Sequence, residues 1–491
     1  MINVLLKGHE YKHELFELIR VFFSGNEITF IEDKEENEFS EFLLENILSE
    51  NKLLSITRFY KNGEVISEFK ENIDCINVFR NSWEKTVKIG IKKSIYGCLI
   101  NMADKKIPWG ILTGIRPVKI VHDLMNKNID ENIINTVLDK EYKLDKDKAD
   151  LIIKIAKLQR EYIYPLDKNK FSLYISIPFC PTRCVYCSFP AYPLGGRYDD
   201  FITSYVDTLI REINSMRDIM AGKRINAVYI GGGTPTAIAS SELERIIESV
   251  YLNFGIDRIK EFTVEAGRPD TINREVLNML RSNNINRISI NPQTMNDKTL
   301  KLIGRKHNCE EIISAYNLAK DMGINNINMD LIVGLPGEGL EEVRNTLNEI
   351  EKLNPENLTV HTLSVKKGSR FKENMNSYSI KDQKIIEAML DETRIFADKM
   401  ELIPYYLYRQ KMILGNFENI GYSKKGLECV YNISIMEEKE TIIGAGMGSI
   451  SKIYYPNEDR LERIPNFKDL REYLERIDEL IEKKRLLVAA I

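Results

Sequence analysis

Several things are scarce in this chain of 491 residues, and each scarcity excludes something. No apolar run approaches the roughly 20 residues that span a bilayer, and the N-terminal MINVLLKGHEYKHELF lacks the apolar core and small-residue cleavage site of a signal peptide. Neither charge sign dominates: 69 basic against 73 acidic residues leave a net charge of −4. That balance offers no electrostatic reason to expect nucleic acid as a partner. Cysteine is sparse, seven in all, and three of the seven fall within eight residues. Such clustering is unlike a secreted disulfide framework and typical of a metal site in a reducing compartment. The expected location is therefore the cytoplasm, with no membrane span. The four scattered cysteines, Cys75, Cys98, Cys309 and Cys429, read as small core residues. No repeat of 20 to 50 residues and no low-complexity segment is present.

What is present is a change of pattern along the chain. In residues 1–165 the runs NVLLKGH, EITFIED and LLSITRFY read as strands and HELFELIRVFF as a helix, predicting a small α+β domain. A polar helical hairpin over DKADLIIKIAKLQREYIY completes it, closed by Pro165. From 166 to 375 apolar runs alternate with amphipathic ones. The strands expected are SLYISIP, NAVYIGG, EFTVEAG, RISINPQ, NINMDLIVGL and ENLTVHTLSV, with helices such as SSELERIIESVYLNF and GLEEVRNTLNEIEKL between them. Six such units predict an α/β fold built as a partial (β/α)6 barrel, whose functional loops follow the carboxyl ends of the strands. Residues 376–491 read as a C-terminal α+β region covering the substrate. It holds the helix IKDQKIIEAMLDETRIFADKM, the aromatic PYYLYRQK, the glycine-rich IIGAGMGSIS and a closing helix FKDLREYLERIDELIEKKR.

The chemistry concentrates at strand ends. In YISIPFCPTRCVYCSF, Cys180, Cys184 and Cys187 form CxxxCxxC directly after the first barrel strand. Thiolates suit an iron-sulfur cluster, and a four-iron cluster normally takes four ligands, so three leave one iron open. Zinc is the competing metal, although its structural sites usually close with a fourth Cys or His. Gly231, Gly232, Gly233, Thr234 and Pro235 follow the second strand; side-chain-free backbone admits a ligand closely, while such a run also makes an ordinary tight turn. Glu265, Gln293, Arg305 and Asp330 fall at or near the ends of successive strands. A carboxylate suits an ammonium or ribose hydroxyls and a guanidinium suits a carboxylate, but each alone also fits a capping polar residue. His307 and His361 offer proton transfer or heme ligation against the plainer reading of hydrogen-bonded barrel histidines. Tyr405, Tyr406, Tyr408, Arg409 and Gln410 suit a flat macrocycle bearing carboxylates, and equally an aromatic core strand.

With these motifs together the chain resembles the radical S-adenosylmethionine superfamily, and within it the oxygen-independent coproporphyrinogen III dehydrogenase group. The segments LTGIRPVKI, CPTRCVYCSFPAYP, TVEAGRPD, SINPQTM and PYYLYRQK resemble its HemZ-type branch. The resemblance implies a 4Fe-4S cluster on Cys180, Cys184 and Cys187, with S-adenosylmethionine completing the open iron and yielding a deoxyadenosyl radical. It further implies that Gly232, Gly233 and Thr234 hold the methionine end. By the same resemblance Tyr174, Tyr186, Glu265, Gln293, Arg305 and Asp330 contact the cofactor, and Ile332 packs on adenine. The implied reaction is oxidative decarboxylation of coproporphyrinogen III to protoporphyrinogen IX, fed by an electron donor such as flavodoxin or ferredoxin. The alternatives are a heme-binding chaperone that keeps the fold, or a radical enzyme acting on another tetrapyrrole by heme degradation or methyl transfer. Two positions depart from the group: Phe189 stands where its well-characterised dehydrogenases carry a further cysteine, and Ser176 where they carry a histidine. Phe189 is shared instead with the heme-chaperone relatives.

Overall fold

A computed structural model describes residues 1–489 except 24, 34–39, 74–81, 104–105, 115, 367, 374–380 and 411–412. It divides into two compact units, Met1–Ala156 with Gly415–Phe417, and Lys157–Leu414 with Glu418–Ile491. No helix among the described residues is long and apolar enough to cross a membrane.

The first unit contains five strands, β1 (Ile2–Lys7), β2 (Ile28–Ile31), β3 (Phe42–Leu48), β4 (Leu54–Lys61) and β5 (Glu64–Asn72), in the order β2-β1-β3-β4-β5. Helix Lys12–Phe22 places Leu15, Leu18, Ile19 and Phe22 at the three-and-four spacing of one face. That face packs with Val87, Ile91, Ile95 and Cys98 of helix Trp83–Ile100 against Val4, Leu44 and Phe59 of the sheet. The expected α+β character is present. Cys98 is a core residue as expected, and Cys75 lies outside the described residues.

The second unit is organised by one sheet of 11 strands. Six run parallel and neighbour one another in chain order: β6 (Lys170–Ile177), β9 (Arg224–Gly232), β10 (Glu261–Glu265), β11 (Arg287–Ser289), β12 (Ile327–Val333) and β13 (Asn357–Thr362). Helices Ile202–Ile219, Ser240–Phe254, Arg274–Ser282, Cys309–Asp321 and Leu340–Leu353 make the crossovers. This is the expected partial (β/α)6 barrel, and the ring is open. Two short pieces, β7 (Phe179–Cys180) and β8 (Tyr192–Pro193), pair beside it. The C-terminal strands lengthen the same sheet at both edges: β14 (Ile403–Tyr408) and β15 (Asn419–Ser423) beyond β13, and β16 (Thr441–Ala445), β17 (Ile450–Tyr455) and β18 (Arg460–Pro465) beyond β6.

Two expectations change in detail. RISINPQ shortens to three strand residues, because Pro292 has no ladder donor and Gln293 takes a left-handed backbone, φ 69°. FKDLREYLERIDELIEKKR forms two helices, Leu470–Glu475 and Ile477–Val488, broken at Arg476 (φ −118°, ψ 25°). Across the break both helices bury side chains, Leu470 and Tyr473 from the first and Ile477, Leu480 and Lys484 from the second, and Tyr473 and Lys484 meet on the carboxylate of Glu212.

Candidate functional site

The cysteine loop is laced shut before any ligand is considered. Tyr192 N donates to Pro178 O (2.7 Å) and Leu194 N to Cys180 O (2.9 Å), closing its base, while Cys187 N to Cys184 O (3.2 Å) turns it inside. Val185 is held from both sides, its N–H donating to Ile303 O (3.1 Å) and its carbonyl accepting from Phe371 N (2.9 Å). Cys180, Cys184 and Cys187 are all half-buried on the wall of one cavity of about 390 Å³. Burial pushes the Cys180 thiol up to about 11, and the two neighbouring thiols push the same way; burial also raises Cys187, with Cys184 adding to the rise.

The glycine turn meets this loop backbone to backbone. Gly233 N donates to Ile177 O and Thr234 N to Phe179 O, both at 2.7 Å, and Thr234 Oγ1 lies 3.6 Å from Cys180 Sγ. No side chain fits at Gly233, where a Cβ would stand 2.5 Å from Phe179 O and 3.0 Å from Cys180 Sγ. Gly232 has φ +107°, a conformation glycine adopts at little cost.

The strand ends supply the remaining walls. Glu265 closes β10 and accepts from Tyr229 OH at 2.5 Å. Burial raises its carboxyl to about 7; the Tyr229 hydrogen bond opposes the rise, and Asp330 adds to it. Gln293 keeps its left-handed backbone through Gln293 N to Asp330 O (2.8 Å) and Ile332 N to Gln293 O (2.9 Å). Strain held this firmly accompanies functional sites. Arg305 Nη2 reaches toward Tyr186 OH (3.4 Å), and Asp330 Oδ1 accepts from Asn328 Nδ2 (2.7 Å) with His361 Nε2 3.8 Å from Oδ2. Four polar atoms of lining residues are buried with no partner among the described residues: Arg183 Nε, Gln293 Oε1, Asn291 Oδ1 and Arg305 Nε.

Twelve of the thirteen residues that the resemblance assigns to the cluster and cofactor line this cavity: Cys180, Cys184, Cys187, Tyr186, Gly232, Gly233, Thr234, Glu265, Gln293, Arg305, Asp330 and Ile332. Tyr174 is not among the lining residues; it stacks on Tyr229, which is, with ring centroids 6.2 Å apart. The PYYLYRQK segment divides by strand alternation. Tyr406, Tyr408 and Gln410 line the cavity, whereas Arg409 is 2% exposed on the other face, where burial lowers it to about 10 despite Glu418. Arg409 is thus no candidate for a ligand carboxylate. His361 lines the cavity beside Tyr408 OH (3.2 Å), and His307 is a buried hydrogen-bonded histidine. Cys429 is buried, and Cys309 begins a helix half-exposed. Sequence reasoning missed Tyr229, Arg268, Asn291, Lys366 and Asn432, all lining residues. Arg268 and Asn291 sit inside the quoted TVEAGRPD and SINPQTM, so their position was a signal; Asn432 arrives from the distant helix Val430–Glu437 with none.

The pattern of the radical SAM superfamily matches residues 174–350. HemZ of Bacillus subtilis, described as an oxygen-independent coproporphyrinogen-III oxidase-like protein, is 43% identical over 384 residues, covering 77% of this chain and 76% of HemZ. The chain belongs to the radical SAM superfamily and, within it, to the HemZ family. The heme chaperone HemW of Escherichia coli is also similar, 29% identical over 58% of this chain and 71% of HemW. The solved structure of coproporphyrinogen III oxidase (HemN) from Escherichia coli, described as a radical SAM enzyme, shares the fold with TM-score 0.53 at 24% identity, over 66% of this chain and 72% of HemN. Membership in the superfamily implies a 4Fe-4S cluster and S-adenosylmethionine. Among the described residues no three Cys, His, Asp or Glu side chains are drawn together as metal ligands. The donor chemistry nevertheless fits the implied pair: three thiols and no fourth cysteine line the cavity, and unpartnered amide oxygens and a carboxylate line the wall beyond them.

Proposed function

We propose that this HemZ-family protein is a radical S-adenosylmethionine enzyme that converts coproporphyrinogen III to protoporphyrinogen IX. Each of two propionates loses one hydrogen atom to a carbon radical, then CO2, and passes the remaining electron to an external one-electron acceptor, leaving a vinyl group. The observation that carries the proposal is the single cavity on which the three thiols, the glycine turn, Glu265, Gln293, Arg305, Asp330 and the phenols of Tyr406 and Tyr408 converge. When bound, the cluster and S-adenosylmethionine supply a carbon radical able to take hydrogen from an unactivated C–H bond.

The chain's own residues have the following roles in this reading. Cys180, Cys184 and Cys187 would hold three irons of the cluster. The backbone of Gly232, Gly233 and Thr234, together with Glu265, receives the methionine ammonium, and Arg305, steadied by Tyr186, receives its carboxylate. Asp330 and Gln293 would receive the ribose hydroxyls, and Ile332 would pack on the adenine. Tyr174 acts through Tyr229 by backing its ring. Tyr406 and Tyr408 present flat surfaces to the macrocycle, and His361, between Tyr408 and Asp330, is placed to hold a proton. The electron comes from a donor of the flavodoxin or ferredoxin class.

Anaerobic incubation with S-adenosylmethionine, a reductant and coproporphyrinogen III tests the proposal. Deoxyadenosine and protoporphyrinogen are expected together, and a fully loaded protein yielding neither sinks it. One observation favours a second reading, a heme chaperone: Phe189 stands on the cavity wall 57% exposed, an aromatic face suited to holding an intact macrocycle. That reading predicts stoichiometric heme binding with the tetrapyrrole recovered unchanged.

A further inference from the structure

A buried guanidinium stands behind one of the three thiols, and the function proposed above gives it no role. Arg268, 3% exposed, follows β10 and directs Nη1 at Cys184 Sγ, 3.7 Å away. Its Nη2 donates to Thr182 Oγ1 (3.1 Å), and Nε and Nη2 together grip the Asp270 carboxylate at 3.1 and 3.2 Å. Asp270 Oδ1 also lies 3.3 Å from His307 Nδ1, and His307 Nε2 lies 3.4 Å from Arg305 Nη1. A guanidinium can only donate, so His307 accepts at Nε2 and donates from Nδ1. The chain of donors therefore runs one way: Arg305 to His307, His307 to Asp270, and Arg268 to Asp270, Thr182 and Cys184.

We propose that Arg268, clamped by Asp270, is a positioning residue that fixes the cysteine loop and raises the reduction potential of the cluster through its N–H group at the Cys184 sulfur. The inference rests on the cluster ligation proposed above. Reduction adds one electron from a low-potential flavin or iron-sulfur donor and breaks no bond. The added charge spreads onto the thiolate sulfurs, so a donor aimed at sulfur stabilises the reduced state more than the oxidised one. Asp270 offsets the long-range charge of Arg268, which leaves the short-range N–H contact as the carrier of the effect. Burial keeps water from taking that place.

The test is an anaerobic redox titration, followed by EPR, of reconstituted full-length Arg268→Gln and Arg268→Lys proteins. Held at the wild-type midpoint, the Gln variant should show a reduced-to-oxidised cluster ratio about tenfold lower, equal to about 59 mV for one electron, and the Lys variant a smaller fall. An unchanged ratio in a Gln variant with a full cluster overturns the inference. A measurement on unmutated protein covers a variant that fails to load: with guanidinium-¹⁵N arginine, pulsed EPR of the reduced cluster should show a ¹⁵N coupling that survives Arg305→Lys. Its absence overturns the inference equally. Wild-type chain that takes up no cluster under the same conditions would fail the ligation reading itself, a different result.

Discussion

Two buried polar centres, one in each unit, are built on opposite principles. In the N-terminal sheet, Asn46 offers its amide to Ser55 Oγ (3.1 Å), Thr57 Oγ1 (2.7 Å) and Ser94 Oγ (3.0 Å) and pairs its oxygen with His9 Nε2 (2.7 Å). The hydroxyls also meet one another, Ser94 lying 2.8 Å from both Ser55 and Thr57. In the barrel cavity, Gln293 Oε1, Asn291 Oδ1 and Arg305 Nε are buried with no such answer. A closed network rigidifies a core, whereas an open one leaves hydrogen-bonding capacity that a ligand or water can fill. The contrast separates a structural polar cluster from a binding one without reference to any relative.

The sharpest way to break the comparison is at the thiols. Cys184→Ala should abolish iron loading and all turnover, read from iron content and visible absorbance, because among the described residues no fourth cysteine lines the cavity to replace it. Retained cluster absorbance would refute the ligand assignment. Next in size is Gly233→Ala, whose Cβ would collide with Phe179 O at 2.5 Å. Overpacking of this kind costs about 1–3 kcal/mol, and isothermal titration should show S-adenosylmethionine binding weakened by roughly tenfold or more.

The comparison itself predicts a crossover. Asn46→Ala leaves His9, Ser55, Thr57 and Ser94 short of a partner and should destabilise the protein by about 2–3 kcal/mol, with cofactor affinity unchanged. Gln293→Ala removes an atom that satisfies nothing, so denaturant melting should shift by less than about 0.5 kcal/mol while cofactor affinity falls. Equal stability losses in the two variants would dissolve the distinction.

The last test is a pH dependence. Glu265 is raised to about 7 by burial, with Tyr229 and Asp330 facing it. An acid raised above its unfolded value contributes stability that is complete below about 4.5 and lost as pH climbs through about 7. Glu265→Gln should therefore flatten ligand-free stability between pH 5 and 8 by roughly 1–3 kcal/mol, measured by thermal melts across that range. An unaltered slope would place the carboxyl in water.

The barrel was legible because its signals are local. Short apolar strand runs, amphipathic helices between them and CxxxCxxC at a strand end need no tertiary information. PYYLYRQK shows the limit: alternation separates Tyr406 and Tyr408 from Arg409, but which face meets the cavity depends on β15 lying beside β14. Arg268 was visible within TVEAGRPD as a letter, and its value came only from the sulfur 84 residues away that it reaches.

The sequence by itself determined the six strand-helix units, the three clustered thiols and the glycine turn, since each follows from short-range spacing. Only the tertiary structure decided that Tyr174 backs Tyr229, that Asn432 reaches the cavity and that Arg268 stands at Cys184. Those facts depend on distances between side chains from different strands and loops, and such distances are fixed by how the sheet curves and what packs across it, information that no local pattern carries.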